Sequence, residues 1–417
     1  MLHCTEDCLN LNIHSKVKKN LNRVWWLNPM CIYAGLLLLV ILAWNTSSGV
    51  YRELYNIPEK AINGEYVVLY GISFIIFCIG YKFSKYPEKT DIFISFERLY
   101  KILYFITVAA TIIWFVNFTR LYGLSALFVF LNMDELSKNN STFFEESGTI
   151  SGLTTMTEFG PIVASLCALI YKNTKKKKYI YEIIFLFILT LIRSAVFSQR
   201  VAFLEVFIPF IIVYLYDKQL TYKYNYLPVF AVVGIMVIFG IFEYPRSWSN
   251  YYVNHYDGTF VEFVVDRISG YYTCAINTEC LLLNHYDAPN YIPFRSLNGF
   301  FYLPILNMTH GFAESAVETG MILSTYGNPE YNNPGGMLTW VVDWGGVGLL
   351  FSGMLGYFIG FFYKSFVAGN VLGIIVYPVC VYALLELPRL FFFGGKRGVF
   401  VLFAIFIVYR TFKSQRT

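Results

Sequence analysis

The sequence predicts an all-α polytopic membrane protein with about ten transmembrane helices and one large extracytoplasmic loop. Three observations carry that expectation. Of 417 residues, 56% are hydrophobic and only 14% charged, with a mean hydropathy of +0.51, whereas soluble domains carry about 25% charged residues. A soluble globular protein is excluded. The apolar residues fall in runs suited to helices, since about 30 Å of hydrocarbon takes about 20 residues, and they lack the polar/apolar alternation of a transmembrane barrel. Finally, polar residues gather in one long stretch, 245–336, between two groups of apolar runs.

Residues 1–29 form a cytoplasmic leader. Its start, MLHCTEDCLNLNIHSKVKKN, holds acids and has no small-residue cleavage site before Trp25, so it does not read as a removable signal peptide. His3, Cys4, Cys8 and His14 do not match the spacing of a structural zinc site, and no metal is expected. Seven spans then occupy 30–244, at 30–49, 64–83, 99–119, 150–171, 179–197, 201–216 and 226–244. The segment 121–131, LYGLSALFVFL, is too short to cross and suits the interface. After the loop come three more spans within 337–409, at 337–363, 371–388 and 398–409, and a cytoplasmic tail at 410–417. Of eight cysteines, Cys31, Cys78, Cys167 and Cys380 lie in apolar runs, where a thiol behaves as a small hydrophobe. No disulfide framework is expected; Cys274 and Cys280, six apart, suit neither one helical face nor a hairpin bridge.

Cytoplasmic loops retain Lys and Arg, which places the N-terminus inside and the lysine run at 172–178 (KNTKKKK) as the main anchor. With that orientation the two kinds of base separate. Inside there are 16 Lys and 4 Arg, and outside 3 Lys and 9 Arg. Topology needs only positive charge, so it does not explain guanidinium on one face. A planar fork that stays ionised and grips phosphate with two N–H groups does. The outer arginines are Arg52, Arg120, Arg193, Arg200, Arg246, Arg267, Arg295, Arg389 and Arg397. An anionic, phosphorylated ligand on the outer face is therefore expected.

The 245–336 loop is the one segment large enough for an ordered extramembrane cap. It has three Arg, no Lys and many aromatic rings, which suit either sugar faces or an interfacial belt. Within it, 260–283 shows helical spacing of apolar residues. Arg246 follows the FEYP exit of span seven, and Arg267 and Arg295 approach from the cap, so three guanidiniums from separate segments can neutralise a pyrophosphate leaving group. Arg200 starts span six and Arg389 ends span nine on the same side. Ion pairs with Asp266, Glu262 or Asp287 are the competing use of the cap arginines. Signatures of soluble enzymes, such as GxxxxGK(S/T), HExxH and GxSxG, are absent from the sequence, as are DxD pairs for a nucleotide-sugar donor. That leaves a lipid-linked donor. As a proton-accepting group on the outer side, His310 is the neutral-pH candidate, with Glu330 and Asp343 as carboxylate rivals and Asp343 better suited to organising the adjoining turn. Tyr271, Tyr272, Asn332, Asn333 and Trp340 are the expected sugar contacts.

The stretch 319–360 is the most distinctive: a Pro/Asn-rich turn, then a helix reading D-x-G-G-x-G, then spaced glycines. With the many-span layout, the large loop before that helix and the SxR of Ser198 to Arg200, it resembles the Wzy-type oligosaccharide repeat-unit polymerases, also called O-antigen polymerases, over about 190–400. The resemblance implies a metal-independent glycosyltransferase of GT-C-like architecture, with no cofactor, in a bacterial inner membrane. It would transfer a growing glycan from undecaprenyl pyrophosphate to an incoming lipid-linked repeat unit, building O-antigen or capsule. Outer arginines, located as Arg200, Arg246, Arg267, Arg295 and Arg389 are, would hold the pyrophosphate. Implied partners are polyprenyl-pyrophosphate-linked glycans, membrane lipid, a chain-length regulator and a flippase, with no nucleic acid. An O-antigen ligase and a lipid-linked oligosaccharide transporter are the alternatives.

Overall fold

The computed structural model describes residues 24–46, 60–85, 96–124, 150, 152–196, 201–216, 225–249, 251–286, 291–303, 310–328, 331 and 333–414. The leader up to Arg23, the interfacial segment 121–131 beyond Leu124, Arg200, Asp287, Glu330 and Asn332 lie outside them. Among the described residues the chain is helical, with one isolated bridge, Gly335 to Leu390, and no strand. Before the loop come α1 (Pro29–Thr46), α2 (Gly64–Phe83), α3 (Glu97–Tyr122), α4 (Gly160–Thr174), α5 (Lys177–Val196), α6 (Val201–Leu215) and α7 (Leu227–Glu243). The loop folds into α8 (Phe260–His285), the single turn α9 (Asn298–Phe301) and α10 (His310–Tyr326). Last come α11 (Thr339–Trp344), α12 (Leu349–Val367), α13 (Val371–Glu386) and α14 (Lys396–Ser414).

Among the described residues, five segments are long and apolar enough to cross a membrane: α2, α3, Thr154–Thr174 (which holds α4), α5 and Thr339–Val367 (α11 with α12). Shorter apolar helices lie at α1, α6, α7 and α13. These helices fit a multi-pass membrane protein. Their starts follow local chemistry. Asn63 accepts from the Tyr66 amide at 3.0 Å to cap α2, Asn370 accepts from Leu372 at 3.0 Å to cap α13, and Pro161 opens α4, each supplying or sparing a donor that a first turn leaves unpaired. At α8, Thr259 and Glu262 form a reciprocal capping box, which sets the start of the 260–283 pattern and lets it run as one continuous helix.

Sequence patterning misses two features here. The run 337–363, expected as one span, breaks into α11 and α12 because Gly345 adopts φ +57° and ends the first piece, and a 3-10 turn, Gly345–Gly348, joins it to the second. A left-handed residue terminates a helix at little cost only when it is glycine. α10 is the other, since no apolar period marks 310–326.

Helices apolar on every side are the ones enclosed by others. α13 has all but Leu385 buried, and α4 is nearly as enclosed; α2 and α3 turn Ile75, Phe83 and Phe105 outward. α2 crosses α12 closely because Gly80 of α2 faces the backbone of Gly353 and Gly356 of α12 faces the backbone of Phe77, each with no room for a Cβ, the small-residue packing used between membrane helices.

The two ends of the bundle differ in charge chemistry. At one end, Lys172 donates to the Val213 carbonyl at 2.9 Å and Lys364 to the carbonyls of Tyr81 at 3.1 Å and Ser84 at 2.5 Å. The last turns of α2, α4, α6 and α12 therefore share a face, and lysines cap it. The opposite end holds Glu158, just before α4, with Arg193 of α5 at 3.7 Å and Arg397 of α14 at 3.8 Å; Arg397 also reaches Glu205 of α6 at 3.4 Å. The cap sits at this arginine end.

Candidate functional site

Between the cap and the arginine end of the bundle lies a cavity of about 740 Å³. Its apolar lining includes Leu204 of α6 and Ile235, Phe239 and Ile268 from α7 and α8. Its cationic lining is Arg295, Arg389, Lys396 and Arg397, against Glu386 as the one acid among the described lining residues. Tyr271, Tyr272, Tyr302 and Tyr382 supply ring faces and hydroxyls, and Asn298, Asn333, Ser315 and Thr319 supply further polar tips.

Arg295 is placed by a short chain of contacts. Asp343, 1% exposed, accepts from the Ser296 amide at 2.8 Å, the Ser296 hydroxyl at 2.6 Å and the Arg295 amide at 3.3 Å. This ties the 291–297 turn to α11, and the Arg295 guanidinium then stacks over the Tyr286 ring at 3.9 Å. Its Nη2 donates to Thr319 of α10, whereas Nε and Nη1 are buried with no hydrogen-bond partner. Burial pulls its pKa below the usual guanidinium value, opposed by Tyr286 and Asp343. Buried donors without acceptors cost free energy, and an anion in the cavity relieves that cost.

Arg389 comes from the turn after α13. Its Nη1 donates to Glu386 at 2.8 Å, its guanidinium lies over Tyr271 at 5.6 Å, and its Nε has no partner. Burial works against its charge, but Glu386 beside it more than offsets this and holds the pKa above normal. The turn is pinned from the cap side, because the Gly335 amide donates to the Arg389 carbonyl at 3.1 Å. Gly335 sits at φ +74°, and a Cβ there would lie 2.5 Å from Glu279. Only glycine fits both demands, so the Asn/Pro/Gly turn carries Asn333 and Arg389 to one cavity.

The sequence-derived site residues thus divide. Arg295, Arg389, Tyr271, Tyr272 and Asn333 line the cavity. Asp343 is the organiser of the Arg295 turn and does not line it. Trp340 also stands outside the lining, stacked on Phe351 at 4.4 Å and edge-on to Phe391 at 5.2 Å.

Arg267 is spent elsewhere. It is 3% exposed, with Nε 3.2 Å from Glu243, Nη1 3.0 Å from the Tyr331 hydroxyl and Nη2 3.3 Å from Ser247. It fastens α8 to the end of α7. Its acid is Glu243, because Glu262 serves the capping box and Asp266 accepts from Tyr256 at 2.5 Å. Arg200, Glu330 and Asn332 lie outside the described residues, as do the side chains of Arg246 and His310. Cys274 and Cys280 are buried free thiols. Sequence reasoning left out Lys396, Arg397 and Glu386 as lining groups; Arg397 was visible only as one of the outer arginines. Among the described residues no cluster of His, Cys, Asp or Glu suits a metal ion. Compared with family models, curated proteins and solved structures, the chain gives no match in any of the three.

Proposed function

We propose that this protein is a membrane glycosyltransferase that polymerises undecaprenyl-pyrophosphate-linked repeat units into surface polysaccharide, O-antigen or capsule. In this reading about ten helices cross a bacterial inner membrane in a GT-C-like arrangement, with both termini cytoplasmic and the cap outside. The cavity, lined by cationic, apolar and tyrosine side chains together, carries the reading. A lipid diphosphate bears a compact anion, an isoprenoid chain and a sugar, and the lining includes guanidiniums, apolar side chains of α6 and α7, and tyrosines. The N–H groups of Arg295 and Arg389 that lack partners would meet the diphosphate, where charge grows as the glycosidic bond breaks. Tyr271, Tyr272 and Asn333 would hold the sugar.

The test uses purified protein in detergent with synthetic undecaprenyl-pyrophosphate repeat units. Ladders of lengthened glycan are expected. Intact lipid binding with no lengthening, or movement of the lipid across proteoliposomes with glycan length unchanged, would overturn the assignment.

A further inference from the structure

Resting on the glycan-transfer reading above, we infer that Glu386 is the general base that takes the proton from the acceptor hydroxyl. Its carboxylate is the one acid among the described residues that line the cavity, at the last residue of α13. The other acids nearby are committed. Asp343 spends its oxygens on the Arg295–Ser296 turn, and Glu158 and Glu205 stand behind Arg397 outside the lining. Glu386 is 5% exposed and held at 2.8 Å by Nη1 of Arg389, whose Nε has no partner among the described residues.

One guanidinium thus joins both ends of the reaction. The acceptor oxygen attacks the anomeric carbon, the bond from that carbon to the phosphate oxygen breaks, and the hydroxyl proton passes to the Glu386 carboxylate. The electron pair leaves with the diphosphate. Negative charge vanishes from Glu386 as it appears on the leaving group, and Arg389 touches the first and has a donor for the second. Its charge is compensated throughout, which lowers the barrier without reorganisation. The protonated carboxyl then returns its proton to solvent before the next cycle.

The charged and titratable groups facing Glu386 are Arg389 and Tyr382 from its own helix and turn, Arg397 from α14, and, around Arg389, Tyr271 and Tyr272 of α8. A carboxylate takes a proton only in its ionised form, so a base of this kind gives the rate profile an acid limb.

The experiment measures glycan lengthening and undecaprenyl pyrophosphate binding side by side in wild type, Glu386→Gln and Glu386→Asp. A base contributes roughly 10²–10⁴-fold, so Glu386→Gln should lose at least about 100-fold in kcat, keep KM within a few-fold, and lose the acid limb of the pH profile. Glu386→Asp keeps the ion pair and charge and should retain an intermediate rate with that limb present. A merely structural role moves KM and leaves the limb in place. Wild-type rate in Glu386→Gln, or an unchanged acid limb in that variant, overturns the inference. If Glu386→Gln does not fold, Glu386→Asp decides alone: a rate and profile equal to wild type sink the assignment. Should wild type bind lipid and lengthen nothing, the polymerase reading itself has failed, a result separate from the behaviour of the variants.

Discussion

Exchanging Arg295 for Lys separates fork geometry from charge. The guanidinium is clamped flat on Tyr286 at 3.9 Å and tied to Thr319 through Nη2, which leaves Nε and Nη1 as donors for a cavity anion. A lysine ammonium keeps the positive charge and loses the plane, the stack and the pair of parallel N–H groups. Each hydrogen bond to a charged group is worth about 1.5 kcal/mol or more, so losing two costs about 3 kcal/mol, and about 1.4 kcal/mol is a tenfold change. Inorganic pyrophosphate should therefore bind the Arg295→Lys protein roughly 100-fold more weakly, as measured by titration calorimetry in detergent at fixed salt. Arg295→Gln, which also removes the charge, should be weaker still. Lys binding within twofold of wild type, with the same salt dependence, would refute the claim that the planar donors matter.

Two further outcomes follow from buried groups. Glu279 is fully enclosed, accepting from Tyr70 at 2.7 Å and from the Leu338 amide at 2.7 Å, and burial pushes its carboxyl up to about 8 against those bonds. The folded protein then holds a proton that the unfolded chain releases above about 4.5, so stability is greatest below that pH and falls as pH rises toward 8. The loss approaches several kcal/mol, at about 1.4 kcal/mol per unit. Glu279→Gln should flatten this slope in thermal unfolding between pH 5 and pH 8.5; an unchanged slope rejects the assignment. Arg267→Met should cost about 3–5 kcal/mol, because it leaves the Glu243 carboxylate buried without the guanidinium 3.2 Å away. Adding Glu243→Gln should recover most of that loss, and additive costs in the double variant would show that the pair is not coupled.

Much of the helical layout can be read from the chain. Every apolar run from 30–49 to 398–409 falls on a helix of the structure, since runs of that length have one way to satisfy their backbone in lipid. Among the described residues Lys172 and Lys364 lie at one end of the bundle and Arg193, Arg389 and Arg397 at the other, with Lys396 beside those arginines. The destination of each arginine was hidden. Arg267 and Arg295 are both cap arginines with acids nearby in sequence, yet one meets Glu243 across the α7–α8 junction and the other meets the cavity. Charge and spacing are the same kind of signal in both cases; only the packing tells which guanidinium finds a carboxylate.

Hydropathy is a property of the chain alone, and it determined an all-helical chain with helices long and apolar enough to cross a membrane, because backbone polar groups in a long apolar run are satisfied within the helix. Which side chains share a cavity depends on contacts between segments far apart in sequence. The Gly335 turn against Arg389, the Asp343 bonds to Ser296, and the placing of Glu386 beside that arginine come from long-range packing, and the tertiary structure decided them.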